Sequence, residues 1–174
     1  MAITRSQTEL GKAIPALDHN KPGYDRDVDS VHSDDLAPET IQYAEVEITS
    51  AELLALAATP ITVVAAPGAG KVLEFVSATV ILDKGATAYD DAAADGDLAI
   101  RFTDGSGVIV STTLDADTFI DGATDQIRTL KPLTTDITPV ADAVLVLDNT
   151  GAEFTGGDGV LRVKVAYRVH ATGL

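Results

Sequence analysis

The sequence contains no cysteine and no tryptophan, and aromatic residues make up only 5% of its 174 residues. Without cysteine the chain can form neither disulfides nor thiolate metal sites. The lack of tryptophan argues against a sugar-binding cleft, which commonly stacks aromatic rings on its ligand. Basic residues are also scarce, because 12 Lys and Arg stand against 27 Asp and Glu, which gives a formal net charge of −15. We therefore expect neither nucleic acid nor an anionic membrane surface as a partner.

Long hydrophobic runs are missing as well. No run approaches the ~18 apolar residues of a membrane-spanning helix. The first residues, from Met1 to Gln7, contain no apolar segment of the kind that a secretory signal peptide needs. These features predict a protein that is made in the cytoplasm.

Residues 1–42 are polar and acidic, with four basic residues against eight acidic ones. Prolines and like charges both resist a packed core, so the segment is predicted to be an extended N-terminal arm. An arm of this kind could order on a neighbouring subunit, although composition alone fits a tail without a role equally well. Its scattered apolar residues are the candidate contacts with that neighbour: Ile14, Leu17, Tyr24, Val28, Val31, Leu36 and Ile41.

Residues 43–174 have the alternating apolar pattern of β-strands. Frequent turn residues and the absence of a βαβ pattern favour two antiparallel sheets. The predicted fold is therefore all-β, a jelly-roll-like β-sandwich of about eight antiparallel strands that follows the extended arm. The predicted strands cover residues 43–48, 61–66, 72–83, 98–103, 108–113, 126–133, 143–148 and 160–170.

Two local patterns in this domain are specific. Thr49 and Glu52 have the spacing of a capping box, and they predict a helix of two to three turns that ends before Pro60. Residues 104–107, Asp-Gly-Ser-Gly, predict the turn of a hairpin between two strands, with glycines available for positive φ.

No motif in the sequence predicts catalysis, a cofactor or a metal site. Residues 66–71 resemble a phosphate loop, but a glycine is missing at Ala65, and Val72 stands where a hydroxyl should follow Lys71. The three histidines are dispersed, and no Gly-x-Ser-x-Gly motif occurs. Closely spaced carboxylates such as Asp115 and Asp117 are better explained as solvated loop residues than as calcium ligands. We therefore expect that the chain is not an enzyme.

Three stretches resemble structural proteins of tailed bacteriophages. They run from Ile48 to Lys71, from Leu98 to Gly105 and from Val160 to Tyr167. Members of that group with an assigned role resemble capsid cement, or decoration, proteins, which are small jelly-roll subunits on the outer shell. The resemblance implies a virion protein without catalytic residues, and it does not extend to the acidic arm.

The resemblance and the composition together predict a virion structural protein. It would bind the outer surface of a phage capsid and stabilise the shell by clamping neighbouring major capsid proteins. The expected partners are the major capsid protein and further copies of the chain, as a dimer or trimer, with no nucleic acid and no membrane. A carbohydrate- or receptor-binding jelly-roll module of a phage fibre is the alternative, and a small hydrolase is the third hypothesis.

Overall fold

The structure is a computed structural model that describes residues 40–90 and 96–172. Within these ranges the protein is almost entirely antiparallel β-structure, with one helical turn, so the predicted fold class is confirmed. The predicted arm, apart from its last residues 40–42, lies outside the described residues.

Ten strands and one short helix follow one another along the chain. They are β1 (Gln42–Ile48), α1 (Ser50–Leu53), β2 (Ile61–Val64), β3 (Lys71–Asp83), β4 (Tyr89–Asp90), β5 (Asp97–Phe102), β6 (Leu114–Asp115), β7 (Gln126–Leu130), β8 (Leu145–Asn149), β9 (Thr155–Gly156) and β10 (Val160–Ala171).

The strand pairing is that of a jelly roll. The two-residue strands β4 and β9 pair with each other in a small separate sheet. Of the other eight strands, the first pairs with the last, and the pairing continues inward as β2 with β8, β3 with β7 and β5 with β6. Further pairing of β10 with β3 and of β8 with β5 joins this ribbon into two four-stranded sheets. Sheet A has the order β1-β10-β3-β7, and sheet B has the order β2-β8-β5-β6.

One hydrophobic core fills the space between the two sheets. Sheet A contributes alternate residues such as Val80 and Val163, and sheet B contributes residues such as Ile100 and Leu147, all fully buried. Along β10 and the second half of β3, the period-two pattern of the sequence therefore marks the inner face of sheet A.

The predicted helix is wrong in length, although its start is confirmed. Thr49 and Glu52 form the full capping box, in which the Thr49 N–H donates to Glu52 Oε2 at 2.8 Å. The helix then ends at Leu53, and residues 54–58 are turns. The N–H groups of Ala55 and Leu56 donate to the carbonyls three residues back, and Glu153 accepts hydrogen bonds from the next two N–H groups, of Ala57 and Ala58, at 3.0 and 2.8 Å. Those two amides are therefore held by Glu153.

The predicted hairpin after β5 is only partly correct. Residues 108–110 do fold back on β5, since the Val110 N–H donates to the carbonyl of Ile100 at 2.9 Å. The expected second strand is broken, however, because the hydroxyl of Ser111 accepts the next amide of β5, from Ile100, at 2.9 Å. The glycines of this turn, Gly105 and Gly107, do not supply the expected positive φ. It occurs instead at Thr103, at 70°.

The long strand β3 changes phase in its middle. Ala78, Val80 and Leu82 face the core, as the simple alternation predicts. A β-bulge then leaves Val76 without a partner on β10, so that Phe75, which the alternation places on the outer face, is buried with the core.

Candidate interaction surface

The predicted capsid contacts lie almost entirely outside the part of the chain that the structure describes. Six of the seven candidates, Ile14, Leu17, Tyr24, Val28, Val31 and Leu36, belong to residues 1–39. Ile41 is described: it lies just before β1, and 36% of its surface is exposed.

The domain has two ends that differ in charge. At one end, which we name the acidic end, lie the connections 49–60, 116–125 and 150–159 and the described part of the connection 84–96, together with the strand residues that flank them. Its described residues include ten carboxylates against a single basic residue, Lys84. The ten belong to Glu52, Asp83, Asp90, Asp97, Asp115, Asp117, Asp121, Asp125, Glu153 and Asp158.

Several of these carboxylates hold the connections to one another. Asp125 accepts a hydrogen bond from the N–H of Lys84 at 3.1 Å, and Asp158 accepts one from the N–H of Thr87 at 2.7 Å. The Tyr89 hydroxyl donates to the carbonyl of Gly159 at 2.6 Å, and burial, together with the nearby Asp158, raises the pKa of Tyr89 to about 12. Hydrogen bonds to Asp125 and Asp158 therefore hold connections of the acidic end to one another.

The rest of the described domain is balanced in charge. It contains seven acidic and seven basic residues, so the whole net charge of the described domain lies at the acidic end. The acidic residues are Glu45, Glu47, Glu74, Asp104, Asp136, Asp142 and Asp148, and the basic residues are Lys71, Arg101, Arg128, Lys131, Arg162, Lys164 and Arg168.

On the outer face of sheet A the charges are paired side by side. Across β1 and β10, Glu45 lies 3.2 Å from Lys164, and Glu47 lies 3.1 Å from Arg162. The most exposed large hydrophobic side chains of the described domain, Tyr43 at 78% and Ile127 at 61%, lie at the two edges of this sheet. This face is therefore locally neutral and partly apolar.

A third group of charged side chains lies on sheet A near the start of β3 and the end of β10. Glu74 accepts from Arg168 at 3.1 Å and lies 2.8 Å from Nε2 of His170. Burial opposes ionisation of Glu74, but the contacts with His170 and Arg168 outweigh it and lower the pKa of Glu74. The polar groups at this end thus satisfy one another.

An apolar cleft of about 330 Å³ opens at the end opposite the acidic end, which we name the cleft end. Its floor contains core residues from both sheets, including Leu73 and Phe75 of β3 and Phe102 of β5. Leu133 and Ile137, from the connection 131–144, form part of its wall, and Glu74 and His170 lie at its border.

A second, polar cleft of about 410 Å³ lies on the outer face of sheet B. It is lined by the ion pair Arg101–Asp148 and by residues of two turns, among them Ser106 and Thr150. Burial raises the pKa of Asp148, and Arg101 counteracts that effect. No aromatic side chain lines this cleft, which removes the stacking surface that a sugar site commonly uses.

In residues 40–90 and 96–172, no group of three or more His, Cys, Asp or Glu side chains is arranged to hold a metal ion. No helix within the same ranges is long and apolar enough to cross a membrane.

The charge division between the two ends is a feature that the sequence analysis missed. Its signal is present in the sequence, since residues 114–125 carry four aspartates and no basic residue. Only the topology shows that four such connections meet at one end of the molecule.

Comparison with known proteins finds little. No protein-family model and no curated protein matches the chain. Among solved structures, the chain is similar to a chain of the capsid asymmetric unit of cyanophage Pam1. The two are 17% identical, with a TM-score of 0.41, and the match covers 74% of this chain and 83% of that chain.

Proposed function

We propose that the chain is a virion structural protein of a tailed bacteriophage. In this proposal it binds the outer surface of the capsid and stabilises the shell by clamping neighbouring major capsid proteins. The observation that carries the proposal is the charge division of the domain, with ten carboxylates and Lys84 at the acidic end and balanced charges elsewhere. The proposal assigns no catalytic step to the chain.

The two ends of the domain lie far enough apart for the charges at the acidic end to be screened at the cleft end. Strand β1 alone has 7 residues and spans roughly 23 Å at 3.3 Å per residue. The Debye length at physiological salt is about 8 Å. The field of the ten carboxylates is therefore largely screened at the cleft end, and a protein that contacts the domain there does not have to bury them. The acidic end, turned outward, would keep the coated particles soluble and apart.

The resemblance noted in the sequence supports the same role. Its three stretches correspond to the region from the end of β1 to the start of β3, to β5 with its following turn, and to β10. Strands β5 and β10 each pair with two neighbours inside a sheet, so the resemblance covers central parts of the jelly roll. Fold alone does not establish function, and for that reason the charge division carries the proposal.

The test is co-sedimentation of the full chain with empty shells assembled from the major capsid protein of the same genome. We expect saturable binding to the shells and a higher temperature of shell disruption when the chain is bound. Binding to isolated capsid-protein monomers only, or no binding at all, would contradict the proposal.

Association of the chain with itself, as a dimer or trimer, remains a proposal. The outer face of sheet A, with Tyr43 and Ile127 at its edges, offers a surface without net charge for it. Sedimentation velocity at micromolar concentration tests it, and a monomer throughout would contradict it.

The alternative, a carbohydrate- or receptor-binding module of a phage fibre, would use the polar cleft beside Arg101 and Asp148, whose lining residues offer hydrogen bonds but no aromatic ring. Under this alternative, monosaccharides should shift the NMR resonances of Ser106 and Thr150 at millimolar concentration. The same titration with no shifts removes the alternative.

A further inference from the structure

We infer that the apolar cleft at the cleft end receives a large apolar side chain of the shell protein and so anchors the domain on the shell. The inference rests on the proposed function and names the surface through which it would act. The occupant is a side chain presented by the folded major capsid protein.

The cleft exists because strand pairing covers only part of one edge of β3. Strand β7 pairs with β3 from Ala78 to Leu82 and stops there. The rest of this edge, toward Lys71, is covered by the connection 131–144. That connection is tied at its two ends, where the Leu133 N–H donates to the carbonyl of Val110 at 3.1 Å and the Asp142 N–H donates to that of Lys71 at 2.9 Å. The opening between these ties leads to the core.

The lining of the cleft selects an apolar occupant. Nine of its eleven lining residues are apolar, and four of these belong to the hydrophobic core of the domain. The polar exceptions, Glu74 and His170, are in contact with each other at 2.8 Å. A polar ligand would therefore find few free partners on the walls, whereas an apolar side chain would lose its contact with water.

The size of the cleft fits one large side chain. An engineered cavity of about 150 Å³ holds a benzene molecule, so a cleft of about 330 Å³ has room for an aromatic or a large aliphatic side chain with part of its backbone. Burial of one such side chain is worth roughly a tenfold to hundredfold increase in a binding constant. That gain is modest for one copy, but many copies on one shell would act together.

Charge and chain direction favour the shell as the source of this side chain. The acidic end lies at the opposite end of the strands, so a shell contact at the cleft avoids its ten carboxylates. Strand β1 also begins at the cleft end, where Gln42 pairs with Tyr167 near the end of β10. Ile41, which immediately precedes β1, therefore lies at this same end.

Two substitutions of Ile137, a partly buried wall residue, test the inference in the full chain. Ile137→Trp fills the cleft, and Ile137→Asp places a charge in it. The matched control is Ala123→Asp, which places the same charge at an exposed position of the acidic end, away from the cleft and from the outer face of sheet A. Circular dichroism and thermal unfolding identify any variant that does not fold, and the tryptophan variant keeps the wall apolar if the aspartate variant fails.

We expect both cleft variants to bind shells at least tenfold more weakly than the wild type, and the control to stay within twofold. Equal binding by the wild type and a folded cleft variant would overturn the inference while leaving the proposed function intact. A wild type that does not bind shells would overturn both. If the cleft variants lost self-association in sedimentation but bound shells normally, the occupant would be a second copy of the chain, and the inference would be wrong.

Discussion

Arg101 on β5 and Asp148 on β8 form an ion pair on the outer face of sheet B that is almost withdrawn from water. Nε of Arg101 lies 2.7 Å from Oδ2 of Asp148, and the two side chains are only 15% and 3% exposed. The Nε–H group of Arg101 does not make a well-directed hydrogen bond. A second nitrogen of the same guanidinium group, Nη1, donates to the carbonyl of Gly107 at 3.1 Å. The pair is thus held mainly by Coulomb attraction and by the turn that follows β5.

This geometry predicts that removing one partner of the ion pair lowers the free energy of unfolding more than removing both. Arg101→Met should lower the free energy of unfolding by about 3 kcal/mol, because it leaves the Asp148 carboxylate buried without a counter-charge. The double variant Arg101→Met/Asp148→Leu should recover a large part of that loss. Urea unfolding of the two single variants and the double variant measures the coupling.

The exposed pair Glu47–Arg162 supplies the control, since both of its side chains are 57% exposed. Arg162→Met should cost less than about 1 kcal/mol. Equal losses for Arg101→Met and Arg162→Met would show that burial of the Arg101 pair has no energetic consequence.

A second prediction concerns Gly107, in the turn after β5. A Cβ at this position would collide with the carbonyl oxygen of Phe102, so Gly107→Ala must displace the turn. The same turn carries the carbonyl that binds Arg101, so the ion pair should be disturbed as well. We expect a loss of about 3 kcal/mol in thermal or urea unfolding. Ser106→Ala, at an exposed neighbouring position, should stay within about 0.5 kcal/mol.

The third prediction is a pH dependence that depends on Glu74. Its pKa in the folded protein is below the ordinary 4.5, since the contacts with His170 and Arg168 outweigh its burial. A carboxyl with a lowered folded pKa stabilises the protein above its unfolded pKa, and this contribution is lost as the pH falls through the folded value. The stability difference between the wild type and Glu74→Gln should therefore shrink below pH 4.5. Parallel stability curves from pH 3 to pH 7 would contradict this.

The fourth prediction separates the arm from the domain. The described domain begins its first strand at Gln42, so deletion of residues 1–39 leaves every described strand intact. The melting temperature should change by no more than a few degrees, because the core is drawn from residues after Gln42. Shell binding should weaken, since six of the seven predicted contacts of the arm are removed. Unchanged binding by the shortened chain would assign the whole contact to the domain.

The fold was predictable from the sequence because its signals are local and periodic. Alternation along residues 160–169 and around Val80 marks the inner face of sheet A, and the capping box at Thr49 and Glu52 fixes the start of α1. These patterns depend on neighbours one to four residues apart, which a sequence displays directly.

The features that the sequence did not predict depend on distant partners. The amides of Ala57 and Ala58, after α1, are held by Glu153, about a hundred residues away, and the expected strand after β5 is broken at the hydroxyl of Ser111. The charge division and the apolar cleft arise only when separate connections meet in space. For the same reason, no pattern in the sequence marks Leu73, Phe102 and Ile137 as neighbours.

Cryo-electron microscopy of shells saturated with the full chain tests the central claim most directly. The proposal predicts added density on the outer surface, with each domain placed cleft end toward the shell and acidic end toward solvent. A shell side chain should occupy the cleft beside Leu133 and Ile137. Density with the acidic end against the shell, or shells without added density, would contradict the account.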